Sequence, residues 1–141
     1  MALTIGIVKG ASSGEGMGNA FLANIREADA ICQVTRVFED ADVTHVDGAV
    51  NPGNDIDTVT TELILADLQT LTKAIERYEK DLKTKRAEPV VLETALAAQK
   101  VLDSGKPLSA SGLDLEPIRE LGLLTAKPYF YVCNADAAVL K

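Results

Sequence analysis

The sequence predicts an α/β fold that carries an inserted, antiparallel helical hairpin of coiled-coil type. Three observations lead there. Ile64, Leu68, Leu71, Ile75, Tyr78 and Leu82 recur at alternating spacings of four and three, the seam of a coiled coil, within a helical run from about Asp55 to Arg86. Val91, Ala95, Ala98 and Leu102 repeat the spacing in a second run, from about Glu88 to Asp103, with Pro89 near its start, where a missing N–H costs nothing. Strand-like runs, Ala30–Phe38 and Pro128–Cys133, flank the pair on either side. At a rise of ~1.5 Å per residue the first helix would extend roughly 45–50 Å, more than a small core needs. Few residues separate the two seams, so the helices are expected to pack as an αα-hairpin, an arm standing off a body.

The 141 residues leave room for one domain plus that arm, divided as residues 1–54, 55–105 and 106–141. No apolar run is long enough to span a bilayer, and no charged-then-apolar leader opens the chain, so a cytoplasmic protein with no membrane partner is expected. Cys32 and Cys133 both fall in strand-like runs without metal-ligand neighbours at useful spacing, and are expected to be buried, reduced thiols. A net charge of −7 argues against nucleic-acid binding by the surface as a whole.

Taken in order, the chain opens on a glycine-rich stretch with Gly6, Gly10, Gly14, Gly16 and Gly18, plus Ser12 and Ser13. Such a loop bends sharply and brings backbone N–H groups near a ligand. Lys9-Gly10-Ala11-Ser12 is not the Gly-Lys-Ser/Thr of a phosphate cradle, so by itself the stretch reads as a connector. A short helix is expected from Asn19 to Ala28, with Phe21, Leu22 and Ile25 inward and Asn24, Arg26 and Glu27 outward. The run Glu39–Asn54 is acidic and turn-rich, with Asn51-Pro52-Gly53 as a turn signal, and its His45 reads as solvated. Asp55 or Asp57 would cap the long helix. After the second helix come Gly105-Lys106-Pro107 as its stop, a short helix over Leu115–Leu121, and the strand ending at Asn134-Ala135-Asp136. A polar pair just past the carboxyl end of a buried strand is where α/β sheets place ligand contacts.

Several segments closely resemble the YchF-type, Obg-like ATPases. They are Gly6-Ile7-Val8-Lys9-Gly10-Ala11-Ser12, Gly14-Glu15-Gly16-Met17-Gly18-Asn19, Phe21 to Ala30, Arg36 to Asp40, Val43 to Gly48, Thr61 to Leu68 and Leu123 to Pro128. The resemblance covers nearly the whole chain. It implies a partial P-loop NTPase (Rossmann-like) sheet, the central fragment of a translation-associated protein that hydrolyses ATP, or GTP, with Mg2+. By the same resemblance a P-loop and switch I precede this segment, and a last strand, a last helix and a small C-terminal domain follow it. Gly6, with Ile7, Lys9, Gly10 and Ser12 as the switch II loop, would sense the γ-phosphate, and Asn134 would read the base.

The departures are specific. The family's switch II opens with Asp-x-x-Gly, but Leu3 stands where that aspartate would lie, so Met1–Ile5 reads as a leader or altered start. The base motif Asn-x-x-Glu is here Asn134-Ala135-Asp136-Ala137, which leaves the choice between ATP and GTP open. Ile7 occupies the place of a water-orienting glutamine and cannot perform that task. No Gly-x-x-x-x-Gly-Lys-Ser/Thr occurs, so this chain alone is expected to be inactive and to hold no nucleotide or Mg2+ tightly. Its strand edges, shorn of neighbours, are expected to pair with a second copy. The rival reading is a non-enzymatic interaction module whose arm binds the ribosome or a protein. Its sharpest support is the arm's tip, where Lys80, Lys83, Lys85 and Arg86 place four of fourteen basic residues in seven positions, opposed only by Asp81. Such a point would meet RNA phosphates; the resemblance to ribosome-associated proteins makes ribosomal RNA the expected target.

Overall fold

The computed structural model describes residues 18–36 and 52–134, with side chains over 22–34 and 58–132. Helix α1 (Gly18–Glu27) leads into strand β1 (Ile31–Arg36). Helix α2 (Pro52–Lys83) and helix α3 (Pro89–Asp103) follow, joined by a five-residue turn. Three 3₁₀ turns, Leu108–Ala110, Glu116–Leu121 and Leu124–Ala126, lead to strand β2 (Tyr129–Asn134). β1 and β2 pair in parallel, Ile31 opposite Tyr129 and Arg36 opposite Asn134. In chain order α2 and α3 thus lie between two neighbouring parallel strands.

α2 starts earlier and stops earlier than expected. Pro52 lies in its first turn, where proline's fixed φ and absent N–H suit a helix, so the Pro-Gly pair is not a turn and Asp55 and Asp57 lie inside the helix rather than at its cap. At the other end Lys85 and Arg86 belong to the turn, not to the helix.

The apolar residues of α2 and α3 share one core with the segment that follows them. Leu71, Ile75, Tyr78, Ala95, Ala98 and Leu102 are buried together, and Leu108, Ile118 and Leu123 from the 3₁₀ segment join the same core. Alanines at the α3 positions facing α2 let the two backbones approach, and the returning segment fills the remaining side. α2 is buried on a second side too, where Leu63 and Ala66 meet Leu22 of α1 and Leu124, with Ile31 and Tyr129 of the strands packed alongside. The expected arm is therefore also the wall on which the sheet rests.

The strands differ from expectation on one face. Ile31 and Tyr129 pack toward α2, and the Tyr129 hydroxyl donates to Gln33 Oε1 at 2.7 Å. The alternate residues Val34, Phe130 and Val132 are 61%, 59% and 47% exposed, and Cys32 is exposed as well, not buried. Parallel strands are ordinarily covered on both faces. Among the described residues nothing covers this one, which is why a thiol read as buried lies open. Cys133 lies in β2, but its side chain is outside the described set, as is Phe38.

Candidate functional site

Two places in the fold carry chemistry, the base of α2 and its tip. At the base, Asp67 is fully buried and its carboxylate accepts three hydrogen bonds, from Leu124 N (2.8 Å), Thr125 N (2.8 Å) and Thr125 Oγ1 (2.6 Å). Burial pushes the carboxyl above its ordinary 3.8, while these donors, and Arg26 at longer range, pull against that rise. The segment so fastened runs directly into β2. Lys127 secures it from the other side: its ammonium donates to the carbonyls of Ala28 (2.6 Å) and Arg26 (3.1 Å), the last carbonyls around the end of α1, where a cation is favoured. Leu124-Thr125-Ala126-Lys127 thus ties α1, α2 and β2 into one piece.

β2 ends at Asn134, level with Arg36 at the carboxyl edge of the parallel pair. That is the edge at which α/β folds hold ligands. The other nucleotide-site candidates, Gly6, Ile7, Lys9, Gly10 and Ser12, lie outside the described residues, as does His45. Among the described residues no three His, Cys, Asp or Glu side chains converge as metal ligands.

At the tip, α2 closes with a pair of backbone bonds, Arg86 N to Asp81 O (2.8 Å) and Lys85 N to Leu82 O (3.1 Å). This is the Schellman arrangement, and it requires a left-handed residue at the position Lys85 holds, with φ +56°. Glycine is usual there because any Cβ is strained. Lys85 is the one non-glycine with positive φ among the described residues. Lys80, Lys83, Lys85 and Arg86 are all exposed, and Lys80 and Lys83 lie in the last turn of the helix. The structure thus brings together all four residues of the expected basic tip.

Sequence reasoning missed Asp67, which reads as one more polar residue beside the seam; only its position beneath Leu124 and Thr125, 57 and 58 residues away, reveals its role.

The fold itself has a solved counterpart. The structure of the Schizosaccharomyces pombe YchF GTPase matches 91% of this chain and 36% of that one with a TM-score of 0.73 and 31% identity. Curated relatives are nearer in sequence. The ribosome-binding ATPase YchF of Bacillus subtilis is 46% identical over 135 residues, 93% of this chain, and Obg-like ATPase 1 of Saccharomyces cerevisiae is 40% identical over 141 residues. No protein-family model matches the chain. The chain spans 37% and 35% of the lengths of those two relatives. This protein is homologous to a segment of the YchF-type, Obg-like ATPases.

Proposed function

We propose that this chain serves as the arm-bearing central segment of a translation-associated nucleotide hydrolase, and that its own activity is to engage RNA of the ribosome through the tip of α2. In this reading residues 1–54 and 106–141 contribute to a nucleotide-binding domain of P-loop type and 55–105 form its coiled-coil arm. The whole protein hydrolyses ATP or GTP with Mg2+ in the cytoplasm; Gly6 and the loop through Ile7, Lys9, Gly10 and Ser12 respond to phosphate, and Asn134 contacts the base. The relatives' printed names, ribosome-binding ATPase and YchF GTPase, support the class.

The single observation that carries the RNA reading is Lys85. A lysine in a left-handed position that glycine fills at less cost, next to Arg86, Lys83 and Lys80, keeps a charge where stability alone would discard it. Replacing Lys80, Lys83, Lys85 and Arg86 with glutamine keeps helix propensity. Ribosome co-sedimentation is then expected to weaken and its salt dependence to flatten. Pelleting equal to the parent's at every salt concentration would reduce the tip to a helix end. Calorimetric titration of the chain with Mg-ATP and Mg-GTP is expected to show no micromolar binding, since the phosphate cradle is not in this sequence. The open face of Val34, Phe130 and Val132 further supports pairing with a second copy, for which light scattering over a hundredfold dilution is the check.

A further inference from the structure

A fully buried carboxylate is a costly means of holding two segments together. An apolar side chain in the place of Asp67 would simply enlarge the cluster of Leu22, Leu63, Ala66 and Leu124, and would hold the segment by burial alone. Apolar contact has no direction, so it lets a neighbour slide or turn. The three hydrogen bonds of Asp67 do have direction. One carboxylate oxygen takes the Leu124 amide, and the other takes both the amide and the hydroxyl of Thr125. Two successive amides on one carboxylate set the rotation of the chain as well as its place. From there each residue up to β2 is held in turn. Ala126 packs against the seam core, and the Lys127 ammonium donates to the carbonyls of Ala28 and Arg26. Pro128 has its φ set by its ring, and its carbonyl accepts from Ile31 N at 2.9 Å. The parallel register then runs from Ile31 and Tyr129 to Arg36 and Asn134.

We propose that Asp67 is a positioning residue for nucleotide binding: by fixing Leu124 and Thr125 on α2, it sets where Asn134 at the end of β2 meets the base. This role rests on the reading of Asn134 as the base contact, and adds to it what places that contact. Asp67 stands on an unbroken helix, Pro52–Lys83, which gives the fastening a stiff support. Asp67 touches no nucleotide itself. It acts through Thr125, Lys127 and the strand that follows them, so its loss should alter recognition of the base and leave the phosphates unaffected.

The test titrates the whole protein with ATP, with GTP and with inorganic tripolyphosphate, which offers phosphates and no base. Thr125→Val removes one donor and keeps the side chain's shape, while Asp67→Asn keeps the volume and turns an amide NH2 toward the donors. Each should weaken the preferred nucleotide by up to about tenfold and leave tripolyphosphate unchanged. Thr125→Ser restores the hydroxyl and should restore the affinity. Leu71→Ala, buried in the seam core rather than beneath Leu124, controls for lost stability and should change neither affinity. Asn134→Ala separates the two readings. If it weakens the nucleotide while the Asp67 and Thr125 variants do not, the positioning role is wrong and the base contact survives. If Asn134→Ala has no effect, the base contact falls and the positioning role with it. An equal loss of tripolyphosphate, or an equal loss in Leu71→Ala, would reduce Asp67 to a structural anchor. A whole protein that binds neither ATP nor GTP overturns both readings.

Discussion

The base and the tip of α2 are built on opposite terms. At the base Asp67 takes three donors in a fully buried setting. At the tip four cations crowd an exposed turn, and the turn itself is strained. The contrast is clearest between the two helix ends of the hairpin. α3 closes with Gly105 at φ +85°, through Lys106 N to Val101 O and Gly105 N to Leu102 O. α2 closes with the same two bonds but places Lys85 in the glycine position. One end is made for stability; the other accepts a cost and keeps a charge. Under the proposed function, the difference separates residues that hold the fold from residues that would serve a partner.

The largest effect should come from the base. Asp67→Ala leaves the amides of Leu124 and Thr125 and the Thr125 hydroxyl without their acceptor inside the protein, and about 3–5 kcal/mol of stability should be lost in urea unfolding. A loss below about 1 kcal/mol would mean the lock is ornamental. The same carboxyl gives a pH signature. Its folded value lies above 3.8, so the folded chain holds the proton more tightly than the unfolded one. Its contribution is therefore full below 3.8 and is lost as pH rises through the raised folded value. The stability difference between the parent and Asp67→Asn, measured across that window, should decline with rising pH; a rising difference would show that the hydrogen bonds outweigh burial.

Leu71→Ala, at the centre of the seam and fully buried, should cost about 3 kcal/mol. Thermal unfolding checks it, and a cost near that of a surface substitution would break the claim that the seam is a core. The smallest effects test the helix ends directly. A Cβ at Gly105 meets no atom within 4 Å, so the cost of Gly105→Lys, about 1 kcal/mol, should be chiefly backbone strain. Lys85→Gly should do the reverse, stabilising by roughly 0.5–1 kcal/mol while weakening RNA binding. If Lys85→Gly destabilises the chain, the strain argument fails.

Much of this architecture was legible in the chain. The four-three spacing of Ile64 through Leu82 and of Val91 through Leu102 marks two helices, because a helix side chain returns to the same face every 3.6 residues and burial selects that face. The runs around Ile31 and Tyr129 read as strands suited to a parallel sheet because they are largely apolar. Clustering of Lys80, Lys83, Lys85 and Arg86 is a local property and needs no fold to be seen.

Other features depend on contacts between residues far apart in sequence, and no local pattern encodes them. Asp67 becomes an anchor only because the fold carries Leu124 and Thr125 over it. Cys32, Val34 and Phe130 read as buried by their apolarity, yet the second face of the strand pair has no described neighbour, and exposure is decided by what lies above a residue rather than by the residue. The start of α2 at Pro52 was hidden by a Pro-Gly pair whose turn and helix readings differ only in the backbone that follows. Helical period and charge clustering are intrinsic to the chain, and the sequence alone determined them. Which helix face turns to solvent, which carboxylate is buried and which glycine position a lysine must fill were settled by tertiary packing, because burial and backbone handedness are properties of the assembled whole.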